Sequence, residues 1–193
     1  IKVCNAMYPP NGVADFTVML LLMCVRNYRD AMWRSMVNDY SLTGLVGNNI
    51  SDLTIGVVGT GSVGCQVMKN LSGFGCRMLA CDQYKNETAK QYAAYVDLDT
   101  IFRESDVITL HTPLTPETDH FINHNSISAM KDGVIIINTA RGQLADINAL
   151  VDGVESGKIG ALGMDTTEGE EGIIHEDHRS DMIANKNWFY LRQ

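Results

Sequence analysis

Three glycines stand at the first, third and sixth places of Gly59-Thr60-Gly61-Ser62-Val63-Gly64. The run follows a β-branched stretch, Thr54 to Val58, and opens one in which Val63, Val67 and Leu71 recur at helical spacing. That strand, turn and helix setting is the one such a run needs in order to hold a diphosphate. Gly59 allows the tight turn, Gly61 lets an anion approach the backbone, and Gly64 lets helix and strand pack closely. Free amide N–H groups and a partial positive charge at the helix start then hold the anion without a lysine. Asp82 closes a second strand-like stretch, Arg77 to Cys81, 18 residues beyond Gly64. A carboxylate there accepts hydrogen bonds from both hydroxyls of an adenosine ribose and repels a 2′-phosphate. The pair of features predicts NAD in preference to NADP, although nearby Lys85 leaves NADP tolerance open.

Two further clusters fall at strand ends. His111-Thr112-Pro113 follows the stretch beginning at Val107, and Asn138-Thr139-Ala140-Arg141-Gly142 follows the one beginning at Val134. In an open parallel sheet these positions form the carboxyl edge, where ligands bind. An arginine at that edge has little structural purpose, whereas its planar guanidinium holds a carboxylate through two parallel hydrogen bonds and so positions a neighbouring carbonyl. Asp165 ends a fifth strand on the same edge, with Glu170 five residues on.

The elements that must carry these residues alternate. Strands are expected at Thr54 to Val58, Arg77 to Cys81, Val107 to His111, Val134 to Thr139 and Gly160 to Met164. Helices are expected at Val63 to Ser72, Leu98 to Glu104, Ser126 to Met130 and Ile147 to Glu155. Asp146 caps the last of these and Gly157 ends it. Alternation of this kind implies an α/β fold with a doubly wound parallel sheet, of Rossmann type, and helices on both faces. Pro9 and Pro10 lead into an earlier helix, Val13 to Val25, apolar on most faces and so expected to be covered on more than one side. Residues 26 to 53 read as a connection. The organisation is one domain over 1–193: a leading helix and connection (1–50), a dinucleotide-binding core (51–165), and an acidic loop with a shortened terminal segment (166–193) that ends in the aromatic run Trp188 to Tyr190.

With 193 residues, the chain has the length of one large domain. Its 15 Lys plus Arg against 23 Asp plus Glu give a net charge of −8, which provides no footprint for nucleic acid or anionic lipid. The longest apolar run, Phe16 to Val25, is about half of the ~20 residues needed to span a bilayer. Five cysteines, Cys4, Cys24, Cys65, Cys76 and Cys81, show no C-x-x-C spacing, so reduced thiols in the cytoplasm are expected and a metal site is not.

From Tyr8-Pro9-Pro10-Asn11-Gly12-Val13-Ala14-Asp15-Phe16 through the glycine run and Asn138-Thr139-Ala140-Arg141-Gly142 to Met164-Asp165, the chain resembles the NAD-binding domain of the D-isomer-specific 2-hydroxyacid dehydrogenases. The opening residues and Glu168-Gly169-Glu170 are most similar to the D-lactate dehydrogenase branch, including its vancomycin-resistance type. The resemblance implies a reversible hydride transfer between NADH and a 2-oxo acid, giving a D-2-hydroxy acid. It places Ser62 and Val63 at the pyrophosphate and Asp82 at the ribose. His111 enters the cofactor pocket, with Thr112, Pro113, Thr118, Thr139, Ala140 and Asp165 around the nicotinamide half. Arg141 binds the substrate carboxylate, and Glu170 hydrogen-bonds a catalytic histidine whose pKa it raises. In intact members Tyr8 would face substrate, and the family implies a homodimer.

The family's proton-donor histidine follows a proline on a later strand, and no Pro-His pair stands in these 193 residues. Most of the substrate domain is expected to be absent as well. The chain therefore reads as a cofactor domain that binds NAD and turns over poorly. A second reading from a different class is an NAD-sensing dimerisation module resembling the co-repressors of the same family. Nucleotide-sugar and methyl-donor enzymes share a similar glycine loop but do not account for the Arg141 stretch.

Overall fold

The computed structural model describes residues 9–169 and 188–190. Helix α1 (Asn11–Val25) starts at Pro10, whose φ of −69° already suits a helix. It buries Ala14, Leu20, Leu21, Cys24 and Val25 and packs against α3 (Ser62–Leu71), β5 (Val134–Asn138) and β6 (Ile159–Met164). Asn27, with φ +50°, breaks the chain away from α1 and starts a second helix, α2 (Tyr28–Met36). The sequence reading had a connection here. None of the residues of α2 is buried, so it lacks the core-facing stripe by which a helix shows itself in sequence.

The remaining strands are β1 (Thr54–Val58), β2 (Arg77–Cys81), β3 (Ala94–Tyr95), β4 (Val107–Leu110) and β7 (Trp188–Tyr190), and the remaining helices are α4 (Leu98–Glu104), α5 (His124–Ala129) and α6 (Ile147–Glu155). The sheet runs β3-β2-β1-β4-β5-β6-β7, and every pairing is parallel. Two of its strands were absent from the sequence reading. β3 has only two residues and no alternation to detect, and β7 is three residues from the terminal aromatic run, pairing Leu162 with Trp188.

Strand order reverses between β1 and β4, the switch point at which α/β sheets open a crevice. Side chains alternate across the sheet as its pleat requires. Ile55, Val57, Ile135 and Ile137 join a core with α1 and α3, whereas Val58, Ile108, Leu110 and Ile136 join another with α4, α5 and α6. Gly56 brings α4 close, since a Cβ there would lie 2.4 Å from Ser105 Oγ and 2.8 Å from Ile101 Cγ2.

Local caps match the sequence expectations. Asp146 accepts from the N–H groups of Asn148 (2.9 Å) and Ala149 (3.4 Å) at the start of α6, and Gly157, with φ +78°, stands just past its end. Asn123 caps α5 through a reciprocal box with Ser126, so that helix begins two residues before the apolar periodicity suggests. Replacing Asp146 with Ala removes the acceptor for two helix-end donors and is expected to lower stability by about 1 kcal/mol. Urea unfolding checks this, an unchanged midpoint being the contrary result.

Candidate dinucleotide site

The glycine run performs three distinct tasks. Gly59 has φ +95°, and a Cβ on it would lie 2.5 Å from the His111 carbonyl carbon and 2.7 Å from Thr112 N, so only glycine fits between β1 and the end of β4. Gly64 sits in the first turn of α3, where a Cβ would be 2.0 Å from Gly59 O; helix and turn are in direct backbone contact. Gly61 differs from both. Its φ of −66° and ψ of −164° suit any residue, and a Cβ would meet nothing within 4 Å.

The space beside Gly61 belongs to a cavity of about 710 Å³, within the range of small-molecule sites. Gly59, Gly61, Asp82, His111, Thr112, Pro113 and Thr118 all line it, as expected from sequence. Tyr84, Leu98 and Phe121 also line it, and the sequence marks none of them as a site residue. Leu98 and Phe121 offer apolar surface of the kind a planar base packs on. Leu98 opens α4 and Phe121 lies in the loop after β4, and neither place marks a residue as part of a site.

Asp82 is half-buried and already engaged. Its Oδ2 accepts from Thr60 N (2.5 Å) and Thr60 Oγ1 (3.0 Å), and its Oδ1 from Tyr84 N (2.9 Å). Thr118 Oγ1 donates to Pro113 O (2.7 Å) and accepts from Thr115 N (2.8 Å), closing the loop on the opposite wall. His111 Nε2 lies 2.9 Å from Thr109 Oγ1, and burial pushes the pKa of its ring from the ordinary 6.5 down to about 4. It is therefore neutral near pH 7 and adds no charge to the cavity.

Ser62, Val63 and Gly64 form the first turn of α3 and lie outside the cavity lining. Ser62 is exposed and shares the end of the helix from which free N–H groups emerge. A second group gathers after β5 and β6, also outside that lining. Asn138, fully buried, donates Nδ2 to Arg141 O (2.8 Å) and accepts at Oδ1 from Ala140 N (3.0 Å). That clasp fixes the backbone bearing Arg141, a task the sequence reading did not assign. Arg141 itself is exposed, and its hydrogen bond among the described residues is Nη1 to Ala140 O (2.7 Å).

The Thr139 hydroxyl faces α1 instead of the cleft, 2.8 Å from Thr17 Oγ1. Asp165 N donates to Asn138 O (2.9 Å), placing Asp165 beside this loop at the carboxyl edge. A Cβ on Gly142 would lie 2.3 Å from the Thr167 carbonyl carbon, so the segment after β6 rests on the segment after β5. Glu168 Oε1 in turn contacts His120 Nε2 at 3.0 Å. Glu170, Tyr8 and most of the acidic loop lie outside the described residues.

These features fit a dinucleotide: a helix N-terminus behind a glycine with open space, a carboxylate at the end of β2, and an apolar wall. They define a parallel α/β dinucleotide-binding protein. The family model described as "D-isomer specific 2-hydroxyacid dehydrogenase, NAD binding domain" matches residues 18–190. An aromatic 2-oxoacid reductase of Clostridium sporogenes is 44% identical over 187 residues, 96% of this chain and 56% of that protein. A D-lactate dehydrogenase of Escherichia coli is 42% identical over 92% of this chain and 54% of its own length. Among solved structures, the NAD-complexed D-isomer-specific 2-hydroxyacid dehydrogenase of Lactobacillus delbrueckii ssp. bulgaricus superposes with TM-score 0.85 at 28% identity, covering 96% of this chain and 59% of that one. The chain belongs to the D-isomer-specific 2-hydroxyacid dehydrogenase family, an oxidoreductase family, through its NAD-binding domain. It spans about half the length of the curated relatives it matches. Among the described residues no helix is long and apolar enough to cross a membrane, and no group of three or more His, Cys, Asp or Glu is placed to hold a metal ion.

The neutral state of His111 has a measurable consequence. Between about pH 6.5 and 4 the unfolded chain binds a proton at this ring that the folded chain does not, so stability falls as pH drops through that window. The full difference is about 3 kcal/mol. Urea unfolding at pH 7, 5.5 and 4.5 is expected to show a steeper acid loss for the wild type than for His111→Asn. Parallel losses would mean that the ring takes up its proton inside the fold.

Proposed function

We propose that this chain is the coenzyme-binding part of a reductase that converts a small 2-oxo acid, such as pyruvate, into a D-2-hydroxy acid, and the reverse. The observation that carries the reading is Gly61. Neither its backbone conformation nor any neighbouring atom calls for glycine, so the missing side chain is explained by a group that enters from the cavity. Gly61 and the first turn of α3, with Ser62 and Val63, would hold the diphosphate, and Asp82 the adenosine ribose. His111, Thr112, Pro113, Thr118, Ala140 and Asp165 would surround the nicotinamide half, while Thr139, its hydroxyl turned to Thr17, would support that loop from α1.

Bound coenzyme supplies or takes a hydride at C2 of the acid. The work of this chain's residues is positional. Arg141, on a backbone held by Asn138, would grip the substrate carboxylate through its guanidinium fork and draw charge from the 2-oxo group. Glu170 would pair with a histidine acid. No Pro-His pair stands in this sequence, so the chain alone is expected to bind coenzyme and turn over poorly. A substrate domain would complete the site, and the residues that select among 2-oxo acids would lie there. The free thiols of Cys24, Cys65, Cys76 and Cys81 suit a reducing cytoplasm.

Alanine at position 61 meets no protein atom, so Gly61→Ala is expected to melt within about 2 °C of wild type while losing at least about tenfold in NAD affinity. Calorimetric titration alongside thermal unfolding checks the pair. Unaltered affinity would remove the diphosphate from this turn. In the same titrations Asp82→Ala is expected to abolish the preference for NAD over NADP.

We further propose a homodimer. α1 buries Ala14, Leu20, Leu21, Cys24 and Val25 inside the domain, whereas Val18, Met19, Leu22 and Met23 line an open groove and give the dimer some support. The stronger support comes from the segment after it: Met32 (45% exposed), Trp33 (65%), Met36 (73%) and Tyr40 (77%) stand in water on and beyond α2. An apolar surface of this kind on a folded chain marks a contact site. Light scattering is expected to give a dimer mass for the wild type and a monomer mass for the double variant Trp33→Glu, Met36→Glu. A monomeric wild type at all concentrations would remove the dimer.

A further inference from the structure

The second residue of the glycine run, Thr60, is 2% exposed and lies at the centre of a hydrogen-bonded chain that continues behind Asp82. Asn86 N donates to Tyr95 Oη (2.8 Å), Tyr95 Oη donates to Thr60 Oγ1 (2.7 Å), and Thr60 Oγ1 donates to Asp82 Oδ2 (3.0 Å). Asn86 Nδ2 also donates to Thr60 O (3.1 Å). Each hydroxyl in the chain has one proton; that of Thr60 has two acceptors in reach, Asp82 Oδ2 at 3.0 Å and Tyr84 O at 3.4 Å, and the shorter contact to a charged acceptor directs the chain from the Asn86 amide to the carboxylate.

We propose that Tyr95, acting through the Thr60 hydroxyl, is a positioning residue that orients Asp82 and so sets the preference for a free ribose 2′-hydroxyl over a 2′-phosphate; this rests on the ribose reading of Asp82. A carboxylate has about four lone-pair sites. Thr60 N, Thr60 Oγ1 and Tyr84 N occupy three, two of them on Oδ2. Oδ1 is left with room for one incoming hydroxyl, where the sequence suggested two, because the amide of Tyr84 already takes its other lone pair. A phosphate at the same place would bring acceptors alone against an acceptor and a negative charge against a charge. Without the Tyr95 hydroxyl, Thr60 Oγ1 loses the donor that orients it and is free to turn its proton to Tyr84 O, 3.4 Å away, which removes one bond from Oδ2 and relaxes both the attraction to hydroxyl and the repulsion of phosphate.

Tyr95 bears on the same choice a second time. The Lys85 ammonium stands 5.9 Å from the centre of the Tyr95 ring, close enough for attraction to its face. Lys85 is three residues from Asp82 and is the cation that left NADP tolerance open in the sequence. Its position over the ring gives it a resting place other than the ribose. Tyr95 reaches both partners because β3 pairs beside β2, Ala80 with Tyr95; the two-residue edge strand serves to bring this one side chain to the end of its neighbour.

The test is calorimetric titration of three ligands, NAD, its 2′-deoxyadenosine analogue and NADP, into the wild-type chain and the variants Tyr95→Phe, Thr60→Val and Thr60→Ser, with thermal unfolding on each. Tyr95→Phe keeps the ring and removes one oxygen. Tyr95→Phe and Thr60→Val are expected to lose about tenfold in NAD affinity with the deoxy analogue and NADP no weaker, so both preference ratios fall about tenfold. Thr60→Ser, which keeps the hydroxyl, is expected to retain the wild-type ratios. Equal weakening of all three ligands would show a merely structural role and overturn the proposal, as would unchanged ratios in both hydroxyl-deleted variants. Asp82→Ala separates the two layers. If it keeps the wild-type preferences, the ribose reading itself fails; if it abolishes them while Tyr95→Phe and Thr60→Val do not, only the role of Tyr95 fails.

Discussion

A side chain at residue 59 would occupy the place of the His111 carbonyl, and one at residue 64 the place of the Gly59 carbonyl. Three backbone segments therefore meet without intervening side chains at the switch point of the sheet. There His111 N donates to Val58 O at 2.7 Å, holding the end of β4 to β1, and Gly59 N donates to Cys81 O at 2.9 Å, holding β1 to β2. α3 can begin only in direct contact with the turn, which fixes where its N-terminus emerges. Close packing of this kind resists continuous adjustment, so the positions of Gly61, Asp82 and His111 all follow from one steric condition.

The parts of the fold that were legible in sequence are those in which burial is one-sided or complete. Each of the five longer strands buries most of its residues, and such runs stand out between helical periodicities. α2 and β3 were missed for the opposite reason: α2 buries none of its residues, and a two-residue strand is shorter than its own period. The site was legible where a residue type is unusual for its place, as with three close glycines, an aspartate at a strand end and an arginine at a carboxyl edge. Tyr84, Leu98 and Phe121 were not, because an aromatic or aliphatic residue near a loop has many uses and only the chain's path chooses among them. Asn138 was quoted within its motif without a task, since its two hydrogen bonds are to backbone that bends only in three dimensions.

The second half of the site depends on contacts between loops. Arg141 is exposed, but the atoms around it are not free. Asn138 clasps the turn from within, Gly142 lies under the backbone of Thr167 and Glu168, and Glu168 meets His120 in the loop after β4. From below, the buried pair Thr17 and Thr139 ties the same turn to α1. Because Thr17 gives its proton to Val13 O, Thr139 must be the donor between them. α1 is thus both a core helix and a strut for the loop that carries the guanidinium.

Electrostatics explains why the two halves of the cavity use different chemistry. The chain carries a net charge of −8, yet charges beyond about 8 Å are largely screened in physiological salt, so the local field decides what binds. At the end formed by the glycine run that field comes from backbone. Gly59 N is bonded to Cys81 O and Thr60 N to Asp82, whereas the first intrahelical bond of the turn is Cys65 N to Gly61 O at 3.0 Å. The amides of the helix start are thereby left for an anion, and the dipole of α3 reinforces them. A carboxylate set near that anion would oppose it if its charge were unbalanced. Donation from Thr60 N, Thr60 Oγ1 and Tyr84 N offsets the charge of Asp82 on the side facing the turn, so one residue of the glycine run stands between the anion-attracting helix start and the anion-rejecting carboxylate.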